Sequence, residues 1–288
     1  GNIGSDFNTF TSKSEPMLPV PKIKVGILGT GNIGSDLLVK VLKSQNLECG
    51  IFAGRNMQSP GIRRARKAGV PVTDASIAYI MEHPQCCDIV FDATSASVHK
   101  RHAPILKKLG KFAVDLTPAC VGKKCVPVLN LDACMQEDNV NLITCGGQAS
   151  IPVAAAISSV HPDTKYIEIV ATIASKSAGP GTRDNIDEFT QATRDALTEF
   201  TGVKHTKAII VLNPAEPPLT MHNTIYALID EPDMDAIRKS VSAMEQKVRK
   251  YVPGYRIQMQ PAYENGRVTT TLQVTGVGDF LPAYSGNL

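Results

Sequence analysis

Hydrophobic and polar positions follow two rhythms along the chain. In the first half, apolar runs at residues 23–28, 47–52, 88–91 and 112–116 alternate with stretches of helical spacing at 33–44, 61–68, 75–82 and 99–109. Strands and helices alternating at this interval predict a parallel sheet with helices on both faces. Beyond Cys145 the rhythm slows. Strands are predicted at 166–174, 208–212 and 224–229, with helices at 185–200 and 234–251. The Asn265-Gly266 dipeptide marks a tight hairpin turn joining strands at 256–263 and 268–274. This half reads as an α+β domain with a largely antiparallel sheet. Residues 1–16 carry almost no hydrophobic period and read as a tail, with Met17 the expected native start. The expected division is therefore a tail at 1–16, an α/β domain at 17–144 to which 281–288 return, and a second domain at 145–280.

The six residues GNIGSD occur at Gly1 and again at Gly31. The second copy completes Gly29-Thr30-Gly31-Asn32-Ile33-Gly34, a G-x-G-x-x-G that follows a predicted strand and opens a predicted helix. In that context the first glycine permits a tight turn, the second lets backbone approach a pyrophosphate, and the third packs helix on strand. The unpaired N–H groups of the helix start face the phosphates. The α/β half is thus expected to be a Rossmann-type dinucleotide-binding domain. The first copy has no strand before it and no fixed direction for its N–H groups. The next strand should end in an acid for the ribose hydroxyls, but reads Phe52-Ala53-Gly54-Arg55-Asn56. Arg55 suits a 2′-phosphate or adenine stacking, so the sequence leaves NAD and NADP both open.

A second stretch, Thr144-Cys145-Gly146-Gly147, follows an apolar run and precedes an Ala-rich helical run at 152–160. A thiol at a helix start has its thiolate favoured by unpaired N–H groups, and glycines there would let a substrate oxygen reach backbone donors. Cys145 is the candidate nucleophile. The remaining cysteines read as packing residues. The glycine-rich stretch at 177–185 is either a loose connection or a second cofactor cradle, and Glu216 reads as a solvated carboxylate.

Composition changes this picture little. The chain has 288 residues, 43% hydrophobic and 20% charged, with a formal net charge of +3. That fits a soluble two-domain protein and gives no sign of a nucleic-acid or membrane partner. No apolar run approaches the ~18 residues of a spanning helix, and no signal peptide is evident, so a cytoplasmic protein is expected. Seven cysteines without C-x-x-C spacing suggest neither a disulfide framework nor a metal site.

Together these stretches resemble the acylating acetaldehyde dehydrogenases of bacterial meta-cleavage pathways. The resemblance is carried by KVGILGTGNIGSDL, FDATSAS, VDLTPA, CVPVLNL, NVNLITCGGQASIPV, SKSAGPGTRDNIDEFT, KAIIVLNPAEPPL, YVPGYR and LPAYSGNL. It implies oxidation of a short-chain aldehyde, acetaldehyde or propanal, with NAD+ and coenzyme A to acyl-CoA and NADH, with Cys145 carrying the acyl group as a thioester. It implies cofactor contacts at Thr30, Gly31, Asn32 and Ile33, at Ser177, Ala178, Gly179, Pro180, Gly181, Thr182, Arg183, Asp184 and Asn185, and at Asn287. It further implies that the second domain is catalytic and dimerising, that the chain is a homodimer, and that it pairs with a 4-hydroxy-2-oxoacid aldolase.

Three features depart from the family. Its proposed base, an Asp, is Asn223 here, and an amide takes up no proton at neutral pH. Either Asn223 positions substrate or another group serves; His222 is the nearest titratable side chain, although neighbouring strand residues point to opposite faces. The family's acid near the ribose is Asn56, and relatives continue into a final helix where this chain stops. Two other readings stay open: a semialdehyde dehydrogenase that uses phosphate, which the lack of basic residues beside Cys145 disfavours, and a nucleotide-binding partner protein without catalysis.

Overall fold

The computed structural model describes residues 21–179, 182–183 and 185–286. The expected tail at 1–16, and Pro180, Gly181, Asp184 and Asn287, lie outside the described residues.

The first half forms a seven-stranded sheet in the order β3-β2-β1-β4-β5-β7-β6, parallel throughout. Its strands are β1 (Ile23–Leu28), β2 (Leu47–Ala53), β3 (Val72–Thr73), β4 (Ile89–Asp92), β5 (Phe112–Asp115), β6 (Lys123–Lys124) and β7 (Asn139–Asn141). Between them run α1 (Asn32–Lys43), α2 (Pro60–Lys67), α3 (Ile77–Glu82), α4 (Ala96–Lys108) and α5 (Pro127–Cys134). The apolar run of β1 is buried on both faces, with Val25, Ile27 and Leu28 fully enclosed, as a strand covered by helices on both sides must be. Strand order reverses between β1 and β4, which is where doubly wound sheets bind ligands at their carboxyl edge.

The second half forms a five-stranded sheet in the order β11-β12-β10-β8-β9. These strands are β8 (Tyr166–Ala174), β9 (Thr206–Asn213), β10 (Met221–Leu228), β11 (Tyr255–Glu264) and β12 (Arg267–Val274). Every pairing is antiparallel except β8 with β9, which are parallel and joined through α7 (Ile186–Thr201). The helices α6 (Cys145–Val160), α7 and α8 (Met234–Arg249) pack on one face of this sheet. The largest core cluster lies there, and the Tyr255 hydroxyl, fully buried, donates to the Ala149 carbonyl at 2.6 Å.

Helix α6 begins well before the Ala-rich run that marks it in the sequence. The Thr144 hydroxyl accepts the Gly147 N–H at 2.9 Å, an N-cap that starts the helix at Cys145 in spite of two glycines and an internal proline. Thirteen of its sixteen residues are buried, so packing on both sides supplies what helix propensity does not.

Chain beyond β12 runs back to the first half. The Lys43 ammonium lies 2.5 Å from an Asp279 carboxylate oxygen, and the Arg64 guanidinium stacks over the Phe280 ring at 4.5 Å.

Candidate active site

Two strand–turn–helix junctions hold the candidate cofactor turn and the candidate nucleophile. At the first, Gly29 has a φ of +102° and a side chain there would lie 2.4 Å from the Ala93 carbonyl oxygen. At Gly34 an added Cβ would lie 1.9 Å from the Gly29 carbonyl oxygen. Both positions therefore demand glycine for close backbone approach. Gly31 differs. Its backbone is extended, and a Cβ there would meet nothing within 4 Å. That open space, above the first turn of α1 and at the carboxyl edge of β1, is where a pyrophosphate needs backbone access, so the turn fits a dinucleotide.

The turn is braced from the side by α2, a contact the sequence reading missed. Thr30 Oγ1 lies 3.1 Å from Ser59 Oγ, the N-cap of α2, while a Cβ on Gly61 would lie 2.3 Å from the Thr30 carbonyl. The Ser59-Pro60 pair, a cap followed by proline at the first helical position, marks the helix start but not its contact with Thr30. Asn32 and Ile33 open α1, with Ile33 exposed. Arg55 and Asn56 are both exposed just beyond β2.

At the second junction Cys145 is the first residue of α6. Its sulfur is not activated in the way a helix start suggests. Burial pushes the thiol up to about 11, outweighing the N–H groups of Gly146 and Cys145 that favour the thiolate. The paired glycines are likewise not a substrate opening. A Cβ on Gly146 would lie 2.8 Å from Ala171 Cβ, and the Gly147 N–H is taken by the Thr144 cap. Gly146 serves close packing of α6 on β8, and Gly147 closes against Thr144 and Ile143.

Asn223 is fully buried and belongs to this junction: its Nδ2 donates to Ser150 Oγ at 2.8 Å and to the Gly146 carbonyl at 3.3 Å. Its Oδ1 is buried with no hydrogen-bond partner. An orphaned acceptor of this kind is costly in a finished core and suits a site that receives a donor. His222, next along β10, points to the other face of the sheet, its Nδ1 directed at the Thr220 carbonyl. It is set apart from Asn223 and the start of α6.

Several polar contacts of the 177–185 stretch run to Ala174 and Ser175 just before it. Ser177 Oγ donates to the Ala174 carbonyl; Arg183 donates from Nε to the Ala178 carbonyl and from Nη2 to Ser175. Ala178 is buried, while Gly179 has open space at its Cβ position. Thr182 bonds back to the Gly179 carbonyl, and Asn185 precedes α7. Glu216 is not a lone carboxylate: it pairs with Lys176 at 2.6 Å, tying this loop to the one after β9. Among the described residues no group of His, Cys, Asp and Glu is placed to hold a metal, and no helix is long and apolar enough to cross a membrane.

Residues 24–141 match the NAD-binding domain of semialdehyde dehydrogenases, which makes the chain an NAD-binding oxidoreductase of the aldehyde dehydrogenase class. Residues 145–282 match the dimerisation domain of prokaryotic acetaldehyde dehydrogenase, which supports a homodimer. An acetaldehyde dehydrogenase of Pectobacterium atrosepticum is 51% identical over 93% of this chain and 91% of its own length. One from Geobacillus stearothermophilus is 54% identical and one from Spirochaeta aurantia 49%, each matching 91% of its own length and 93% and 94% of this chain respectively. The chain belongs to the acetaldehyde dehydrogenase family.

Proposed function

We propose that the chain oxidises a short aldehyde, acetaldehyde or propanal, with NAD+ and coenzyme A to acyl-CoA and NADH through a thioester on Cys145. The observation that carries this reading is the placement of Cys145 at the start of a buried helix with the orphaned Asn223 Oδ1 nearby. Cys145 gives its proton up to solvent, and the thiolate adds to the aldehyde carbon to form the alkoxide of a thiohemiacetal. A dinucleotide with its pyrophosphate held at the Gly29–Gly34 turn would supply the acceptor for the hydride that leaves that carbon. The thioester left on Cys145 is attacked by the coenzyme A thiolate, which forms acyl-CoA and restores the Cys145 thiolate.

Asn223 has a positioning role in this scheme: Nδ2 is committed to Ser150 and Gly146, and Oδ1 accepts from a thiol or alcohol without taking its proton. Gly29, Thr30, Gly31, Asn32, Ile33 and Gly34 hold the cofactor phosphates. Ser177 to Asn185, Asn287 and Arg55 complete the cofactor surroundings, and the return of the segment at 281–288 to the nucleotide domain belongs to the same reading. An aldolase partner that delivers the aldehyde, and a cytoplasmic location, belong to the same reading.

Incubating the protein with acetaldehyde, NAD+ and coenzyme A, and following absorbance of the reduced cofactor, tests it. The expected result is acetyl-CoA formation that disappears in Cys145→Ala, with NAD+ binding retained. NADP+ in a parallel arm reads the contribution of Arg55, and phosphate in place of coenzyme A reads the acyl-phosphate chemistry. Turnover persisting in Cys145→Ala refutes the thioester.

A further inference from the structure

A buried polar seam crosses the first sheet between the two junctions. Asp92, at the end of β4, places Oδ2 2.9 Å from His99 Nδ1 and 2.8 Å from His102 Nδ1, and both His99 and Asp92 are fully enclosed. His99 Nε2 lies 3.5 Å from Asp115 Oδ2 at the end of β5. That same oxygen accepts Asn141 Nδ2 at 2.8 Å, and Asn141 Oδ1 accepts the Ile143 N–H at 2.9 Å.

Ile143 is the telling residue. It is buried and sits at a φ of +62°, the left-handed region that a β-branched side chain rarely adopts. Such a conformation persists only where its surroundings impose it, and the hydrogen bond that Ile143 donates to Asn141 Oδ1 is such a contact. Two residues further on, the chain enters α6 with Cys145. At its other end the seam reaches the glycine turn: the Ala93 N–H donates to the Leu28 carbonyl at 2.8 Å, and the Ala93 oxygen is the atom that forbids a side chain on Gly29. Asn139 adds an independent sign. Its Oδ1 is buried without a partner while its Nδ2 lies 3.1 Å from His99 Nε2. In the opposite amide orientation Oδ1 would accept from an Nε2–H of His99, which ties Asn139 to the same seam.

We propose that Asp92, His99, Asp115 and Asn141 form a positioning network that fixes the Ile143 turn, and through it the place of the Cys145 sulfur relative to the glycine turn. The proposal rests on Cys145 being the nucleophile. Burial opposes a charge on His99, but its bond to Asp92 and the charges of Asp115 and Asp92 raise its affinity for a proton. His99 bridges Asp92 and Asp115 and keeps their spacing, and Asp115 stays aimed at Asn141.

The test compares wild type, His99→Gln, Asn141→Ala and the double variant in the full chain. Peptide-resolved alkylation of Cys145 by iodoacetamide is followed beside kcat and KM. Each single variant is expected to slow both Cys145 alkylation and kcat by roughly tenfold to a hundredfold, with little change in the KM for NAD+. The double variant is expected to be no worse than the worse single, because members of one chain of contacts are not additive. Should His99→Gln fail to fold, the isosteric Asp115→Asn takes its place. A lowered thermal midpoint with unchanged alkylation and kcat, or effects that multiply in the double variant, overturns the proposal. Alkylation reads the sulfur without turnover, so activity surviving in Cys145→Ala removes the nucleophile assignment separately.

Discussion

The glycine turn at Gly29–Gly34 and the cysteine turn at Thr144–Gly147 look alike in sequence: an apolar strand, glycines, then a helix. In space they do opposite things. A side chain at Gly31 would project into open space, whereas one at Gly146 would run into Ala171. The first turn leaves backbone uncovered for a ligand; the second is closed by α6 packing on β8 and offers only its sulfur. A glycine at a helix start therefore has no single meaning, and what decides between receiving a ligand and packing a helix is which atoms occupy the missing side chain's direction.

The comparison breaks most sharply at Gly31. Its extended backbone, φ −76° and ψ −164°, accommodates a β-branched residue without strain, so Gly31→Val is expected to fold with a near-unchanged thermal midpoint. Its side chain would fill the space needed for pyrophosphate approach, and NAD+ binding measured by calorimetry should be lost. Retained affinity would mean that the cofactor does not use this turn. The mirror experiment is Gly146→Ala. Here the added methyl would overpack α6 against β8, and overpacking typically destabilises by about 1–3 kcal/mol. At roughly 2–4 °C per kcal/mol for a chain of this size, the midpoint should drop by several degrees while NAD+ affinity holds. An unchanged midpoint would show that the junction has slack.

Much of this was legible from residue order, for physical reasons that differ by region. The parallel half declares itself because β1, β2, β4 and β5 are largely apolar runs separated by helical stretches, and the G-x-G-x-x-G lies where strand meets helix. The second sheet was readable strand by strand, but its one parallel pair depends on α7 crossing over, which no local pattern states. Cys145 at a helix start was legible; the raised affinity of its thiol for a proton was not, because that follows from burial by chain far away in sequence. Nothing in the local pattern marks His99 and His102 as partners of one carboxylate. Their enclosure with Asp92 arises because β4 and α4 fold back on each other, placing residues seven and ten apart around one carboxylate. Glu216 likewise found Lys176 through tertiary contact alone.

The seam between the two turns gives the smallest and sharpest test. His99 holds its proton more tightly in the fold than the ordinary imidazole value of about 6.5. Its contribution to stability is therefore fully present below that pH and is lost as pH rises through the raised value. Asp92 works in the opposite sense. Although burial alone would raise it, hydrogen bonds from His102, His99 and Thr94 hold it well below the usual carboxylate range, so its contribution survives until strongly acid pH. Asp115, raised by burial, contributes most below the ordinary carboxylate value and, like His99, loses its contribution with rising pH. Buried thiols such as Cys49, pushed up to about 12 by burial, start to erode stability only where unfolded thiols ionise, near 8.5. Between about pH 6.5 and 8.5 the thermal midpoint should thus decline by a few degrees, with His99 as the titrating group facing Asp92, His102 and Asp115. His99→Gln should start lower and stay flat across that window. A decline that persists in His99→Gln would place the titrating group elsewhere, and the two turns would then be joined by packing alone rather than by a charged seam.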